Sequence, residues 1–200
     1  HDNLEELARY AGIPIINGLS DLYHPCQVLT DMFTIIEHKG NLSDIKVAWV
    51  GDGNNMAHSW ITAAAHYGFE LWLACPPGFE PRPDILKQAR ARSKHRIELV
   101  TDPQKAVAGA AAINTDVWVS MGQKDEAGEK IKLFEPYQIN AQLLAQAESG
   151  AIVLHCLPAY RGQEITDEVM DGPQSVVFQQ STNRMHLQKA LLEKLLVGGE

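Results

Sequence analysis

Four short segments hold an unusual share of the chain's uncharged polar and small residues: Gly51-Asp52-Gly53-Asn54-Asn55, Ser120-Met121-Gly122-Gln123, His155-Cys156-Leu157-Pro158, and Gln179 to Arg184. Each follows an apolar run that reads as a β-strand. Asp116 stands in the otherwise apolar stretch NTDVWV, where an unpaired carboxylate is expensive and a ligand ammonium would satisfy it. The plainer reading is a buried, hydrogen-bonded aspartate. His24 and Gln27 lie one helical turn apart where a helix opens at His24-Pro25, so both can address one small ligand at a pole that favours phosphate. For His24 the structural alternative is a helix cap. Arg184 reads as opening the last helix, where a cation opposes the local dipole and calls for an anion or a carbonyl. Cys156 ends a buried run, where a free cysteine is most often a small apolar side chain.

Other chemistries fit less well. GDGNN lacks the order G-x-G-x-x-G, and the next strand ends at Cys75-Pro76 where a dinucleotide site wants an acid. His24, Cys156 and Asp116 could be recruited as a hydrolase triad, yet no nucleophile elbow accompanies them. His58 and His66 are spaced as helix-face residues, no HxxxH sits on a helix, and no Cys/His cluster has ligand spacing, so neither a metal nor a cofactor is expected. The run RARSKHR reads as a solvated helix end.

The elements that must position these groups follow from length and patterning. At roughly 150 residues per domain, 200 residues make one large domain or one and a fraction. Twenty-five acids against 17 Lys plus Arg leave a net charge of -8, which disfavours a nucleic-acid groove. A hydrophobic share of 45% with 21% charged residues excludes a disordered, collagen-like or coiled-coil chain. No apolar run reaches membrane-span length, and Cys26, Cys75 and Cys156 read as free thiols, so a soluble, cytoplasmic protein is expected. The opening His1, followed at once by the helical pattern LEELARYAG, reads as an excerpt from a larger protein.

Short β-rich runs alternate with helical stretches, which implies an α/β fold: a three-layer, Rossmann-like parallel sheet with helices on both faces. Strands are expected over Lys46 to Val50, Phe69 to Cys75, Arg96 to Thr101, Ala111 to Val119, Ala151 to Leu157 and Ser175 to Phe178. Helices are expected over Asn54 to Tyr67, Asp84 to Ser93 and Asn140 to Ser149, with a charged connection at Lys124 to Lys132. A helix from His24-Pro25 aligns Val28, Leu29, Met32, Phe33 and Ile36, and a last helix from about Asn183 aligns Leu187, Leu191 and Leu195. In such a sheet ligands gather beyond the carboxyl ends of the strands, which is where all four polar segments fall.

Taken together, NGLSDLYHPCQ, GDGNN, DVWVSMGQ, HCLPAYRGQEIT and TNR resemble, in order and spacing, the aspartate/ornithine carbamoyltransferase family, with DVWVSMG and HCLP nearer its ornithine branch. The resemblance covers essentially the whole chain. It lacks the family's amino-terminal Ser-Thr-Arg-Thr phosphate loop, and Thr182 stands where the family commonly has Glu. Residues 1–23 then correspond to the end of a carbamoyl-phosphate domain and its linker, 24–40 to an interdomain helix, 41–182 to the ornithine-binding domain and 183–200 to a closing helix.

The resemblance implies carbamoyl transfer from carbamoyl phosphate to the δ-amine of L-ornithine, without cofactor or metal. It assigns His24, Gln27, Cys156, Leu157 and Arg184 to carbamoyl phosphate, Asn55, Asp116, Ser120 and Met121 to ornithine, and catalysis to Asp116, Cys156, Arg184 and His24. Cys156 is implied to pair with Asp116 near the reacting amine. The partners implied are the two small substrates, with no nucleic acid or membrane, and a homotrimer or higher homo-oligomer in the complete protein. Putrescine, acetylornithine or aspartate remain alternative acceptors, and a non-catalytic amino-acid-binding homologue remains an alternative class.

Overall fold

Lys46–Val50 (β1) is apolar from Val47 onward and buried there on both faces, as a central parallel strand must be. In the computed structural model, which describes residues 1–119 and 127–198, a helix over Asp2–Tyr10 (α1) precedes the sheet, and β1 pairs in parallel with Glu70–Ala74 (β2) and with Ala112–Thr115 (β4). Ile97–Val100 (β3) and Ile152–His155 (β5) complete a five-stranded parallel sheet in the order β3-β2-β1-β4-β5. The expected α/β class holds. Strand order reverses between β1 and β4, so the crevice at their carboxyl ends is the topological switch point where such sheets bind ligands.

Period-two alternation divides the core. Val47 and Trp49 face a layer containing Val28, Met32 and Ile35 of Pro25–Lys39 (α2), Trp60 and Ile61 of Asn55–Tyr67 (α3), and Leu86 of Pro83–Arg92 (α4). Ala48 and Val50 face the opposite layer, with Val107 of Pro103–Val107 (α5), Leu143 of Ala141–Leu144, and Val169 of Asp167–Met170. Of the residues aligned on α2, Phe33 and Ile36 are exposed; the buried stripe runs through Ile35 instead.

Several expected boundaries shift. Ser175 to Phe178 is not a strand: Ser175 makes a single parallel bridge to Val153, and the closing helix already begins at Val177, spanning Val177–Glu193. The β-branched pair Val176-Val177 suggested a strand, but Val177 packs into the core from the first helical turn, so tertiary burial overrides propensity. Arg184 therefore lies inside this helix and not at its opening, and the dipole argument for it lapses. The strand placed at Ala111 to Val119 ends at Thr115, freeing Asp116, and the helix placed at Asn140 to Ser149 is the single turn Ala141–Leu144. The charged connection is largely helix, Ala127–Phe134. Leu187 and Leu191 are half-buried while Leu195 is exposed. Among the described residues, no helix is long and apolar enough to cross a membrane.

Candidate functional site

The site starts where β1 ends. Gly53 donates its N–H to the Phe79 carbonyl at 2.8 Å, pressing the turn against the loop at residues 79–81. Asn54 then caps α3, its Oδ1 accepting the N–H groups of Met56 and Ala57 at 2.9 and 3.2 Å. With that oxygen committed, its Nδ2 must point outward, and it donates to Asp116 Oδ2 at 2.8 Å. Beside it Lys130 pairs with Asp52 at 2.6 Å and lies over the rings of Phe79 and Phe134. Burial raises the Asp52 carboxyl, and Lys130 opposes that rise.

Asp116 is the hub. Its Oδ1 accepts the Val117 N–H at 2.8 Å and the Cys156 thiol at 3.0 Å, joining the end of β4 to the end of β5. Burial, and then the charge of Asp116, push the Cys156 thiol well above its usual range, so it remains an S–H donor at neutral pH. A hydrolase triad would need that thiol activated by an imidazole. The thiol engages a carboxylate instead, which argues against the triad.

The Cys156 loop is held by its neighbours. The Leu157 N–H donates to His155 Nδ1 at 2.9 Å, which places the ring's one N–H proton on Nε2, and Nε2 donates to the buried Glu164 at 3.1 Å. Glu164 also accepts the Tyr160 N–H at 2.6 Å, closing the loop at its far end. Leu157 has a φ of 55°, a left-handed conformation rare for a residue with a side chain, and the Leu157–Pro158 peptide is cis. Ligand atoms of Asp116, His155 and Cys156 lie within 4.8 Å of one another, a cluster that sequence spacing did not reveal. Both imidazole nitrogens are already engaged, so a metal would have to displace the Leu157 or the Glu164 contact.

At the start of α2, the His24 backbone N–H donates to Ser59 Oγ at 2.8 Å, while its ring Nδ1 and the Oε1 of Gln27 are buried without a partner among the described residues. Two unsatisfied polar atoms one turn apart make this a candidate subsite, since buried polar groups are ordinarily paired. Burial, then the charge of Arg184, press the His24 imidazole down to about 4, with Asp116 pulling the other way. Arg184 is half-buried and makes no hydrogen bond or ion pair among the described residues, although its charge is felt at His24, Cys26 and Asp31.

The His24 shift has a stability consequence. Between about pH 4 and 6.5 the unfolded chain binds this proton and the folded chain does not, so acidification through that window withdraws stability. His24→Gln is expected to flatten the dependence of stability on pH over the same window, measured by denaturant unfolding at neutral pH and near pH 4. An unchanged slope would place the acid-sensitive group elsewhere.

The structure thus brings Asp116 to Cys156 and surrounds His24 with the charges of Arg184 and Asp116. Asn55 Nδ2 donates to the Ser20 carbonyl at 2.7 Å; Asn54 is the neighbour that bonds Asp116 and that sequence reasoning passed over. Ser120 and Met121 lie outside the described residues. Glu164 and Asp31 were also missed, because a polar residue in a helix or loop reads as solvent-facing until its partners fold onto it.

Comparison with known proteins adds an independent line. The family model described as aspartate/ornithine carbamoyltransferase, Asp/Orn binding domain, matches residues 43–195, and the carbamoyl-P binding domain model of the same family matches residues 1–37. The ornithine carbamoyltransferase of Desulfotalea psychrophila is 56% identical over 193 residues, which is 96% of this chain and 64% of the relative. That of Methanoculleus marisnigri is 52% identical over 199 residues, 100% of this chain and 64% of the relative. The ornithine carbamoyltransferase structure from Pyrococcus furiosus matches with a TM-score of 0.94 at 48% identity, over 100% of this chain and 65% of that one. An ornithine transcarbamoylase from Giardia lamblia still reaches 0.91 at 28% identity, over 100% and 68%. The chain therefore spans 64% of the length of these curated relatives.

Proposed function

Since the chain belongs to the aspartate/ornithine carbamoyltransferase family, we propose that it is the ornithine-binding part of an enzyme that transfers the carbamoyl group of carbamoyl phosphate to the δ-amine of L-ornithine, giving citrulline and phosphate. The observation that carries the reading is the Cys156 thiol held on Asp116 at 3.0 Å, beside the unsatisfied pair His24 and Gln27. A nucleophilic enzyme would need a thiolate; a positioning enzyme needs the thiol and carboxylate found together.

In this reading the neutral δ-nitrogen attacks the carbonyl carbon, a C–N bond forms, and the tetrahedral oxyanion collapses with loss of phosphate, which keeps the electron pair of the broken C–O bond. The nitrogen gives up its surplus proton. Catalysis is then positioning and charge stabilisation without a covalent enzyme intermediate. His24 and Gln27 bind the carbamoyl group, and Arg184 supplies the cation for the developing oxyanion and the phosphate. Asp116 orients ornithine through its α-ammonium, Cys156 stands by the neutral δ-amine, and the Leu157 carbonyl accepts an N–H from that amine. Asn55, Ser120 and Met121 are assigned to the amino-acid end; the amide of Asn55 retains one N–H beyond its bond to Ser20.

The domain reading follows: residues 1–23 end a carbamoyl-phosphate domain, 24–40 form the interdomain helix, and 41–182 bind ornithine. The closing helix, which we assign to pack on the carbamoyl-phosphate domain, starts at Val177, ahead of the boundary at 183. A cytoplasmic homotrimer or larger homo-oligomer is the proposed assembly.

The test is citrulline formation from ornithine and carbamoyl phosphate by the protein in its full natural length, with putrescine, acetylornithine and aspartate as competing acceptors. Turnover faster with any of those three would reassign the substrate, and tight binding of a phosphonate–ornithine bisubstrate analogue without turnover would leave a binding protein. Within the reading, Cys156→Ser is expected to lower kcat by about tenfold or more while the KM for carbamoyl phosphate moves little. Steady-state kinetics with unchanged kcat would remove the thiol from the mechanism.

A further inference from the structure

Asp31 is fully buried on α2 and plays no part in the chemistry above. Its Oδ1 accepts from Gln27 Nε2 at 2.8 Å and from Gln180 Nε2 at 2.6 Å, and its Oδ2 accepts from Asn114 Nδ2 at 3.3 Å. Gln180 is itself pinned, its Oε1 receiving the His155 backbone N–H at 2.9 Å. One carboxyl group thus ties α2, β4, the closing helix and the end of β5. Burial raises it to about 7 against the pull of those three amides.

Gln180, fixed by His155, presents its N–H to Oδ1, so Oδ1 is an acceptor whether or not a proton sits on Oδ2, and any other amide that meets Oδ1 must present its N–H side too. For Gln27 this settles which way round the amide sits: Nε2 faces Asp31, and Oε1 is left buried without a partner among the described residues. We propose that Asp31 is a positioning residue that locks the polarity of Gln27, so that the carbamoyl subsite offers an acceptor and selects a ligand with an N–H donor at that point. The inference deepens the carbamoyl-transfer reading and rests on it. A carbamoyl group carries an NH₂ there; an acetyl group of nearly the same shape carries a methyl, which would leave Oε1 unsatisfied. A buried acceptor denied its donor is the kind of contact that discriminates between isosteres.

Asp31→Leu removes the acceptor and frees the Gln27 amide to invert. Asp31→Asn keeps it: its oxygen retains both glutamine donors, because Gln180 is anchored by His155, while Asn114, whose Oδ1 is unpaired, turns to accept the new N–H. In the protein of full natural length, Asp31→Leu is expected to lower the preference for carbamoyl over acetyl phosphate, read as KM of the first against inhibition constant of the second, by about tenfold. Asp31→Asn is expected to stay within about threefold of wild type. A folded Asp31→Leu with the wild-type preference, or an Asp31→Asn that loses it, overturns the proposal.

If Asp31→Leu does not fold, the side-chain amide of Gln27 decides in the nitrogen-15 spectrum of the wild-type protein. Held on Asp31, its protons exchange slowly and keep their shifts when carbamoyl phosphate is added; a large shift on binding means the N–H side faces the ligand and the lock is absent. Wild-type protein that forms no citrulline sinks the functional reading alone, since the Gln27 resonance still reports on the lock.

Discussion

Gly53→Ala is expected to destabilise the chain by about 3 kcal/mol or more, a larger loss than at any other glycine compared below. A Cβ built at Gly53 falls 2.2 Å from the Pro81 nitrogen, 2.3 Å from the Glu80 carbonyl carbon and 2.7 Å from the Phe79 oxygen. All three are backbone atoms, so no side chain can rotate away; the loop must lift off the turn and lose the Gly53 to Phe79 hydrogen bond with it. Gly51 separates the two possible causes. Its φ of 141° disfavours a side chain, yet an added Cβ would meet Thr115 Oγ1 at 3.5 Å, ordinary contact, so Gly51→Ala should cost only about 1–3 kcal/mol from backbone strain. Gly78→Ala, with φ of 86° and open space around it, should cost about 1 kcal/mol. Denaturant midpoints of the three variants check the ranking, and a Gly53→Ala as stable as Gly78→Ala would mean that the turn and loop do not pack as described. Because Asn54 follows directly, lifting this turn also unseats the amide that meets Asp116.

How much of this was legible in the sequence depends on how locally each feature is determined. KVAWV declared itself a central strand because a buried parallel strand needs both faces apolar, and the structure returns Lys46–Val50 unchanged. Asn54 to Tyr67 was legible through its apolar pattern and the stop at Gly68, which operates within a few residues; the Asn54 cap emerged only in the fold. Ser175 to Phe178 misled because the same β-branched residues suit a strand or a first helical turn, and only packing of Val177 decides. Asp116 stood out as a lone acid among apolar residues, but Asn54 as its partner lies 62 positions away and had no local signal. Asp31 was hidden for a further reason. In PCQVLTDMFT it looks like the wet face of an amphipathic helix, and it is a core residue only because Asn114 and Gln180 arrive from other elements with donors for it. His58 read as a helix-face residue and is one, although its ring also joins the Leu22 carbonyl and the Arg82 N–H.

Asp116→Asn is expected to cut turnover by about 10²–10⁴ in the protein of full natural length, if ornithine carbamoylation is the reaction. The size follows from what converges on this carboxylate: the Asn54 amide, the Val117 N–H and the Cys156 thiol are all donors, at 2.8, 2.8 and 3.0 Å. Asn54 cannot turn its oxygen to meet a new N–H, because that oxygen caps α3 through Met56 and Ala57. An amide at position 116 therefore sets donor against donor on one side or the other, at a stability cost of roughly 1–3 kcal/mol, and removes the negative charge a substrate ammonium would meet. The two losses separate experimentally. Misplaced packing alone would weaken both substrates together. Loss of the charge should instead fall on kcat and on the KM for ornithine, and leave carbamoyl phosphate binding close to normal, since His24, Gln27 and Arg184 are untouched. A folded Asp116→Asn that keeps turnover within tenfold of wild type would leave the Asp116–Cys156 contact as a structural tie between β4 and β5, and the acceptor amine would have to be oriented by another group.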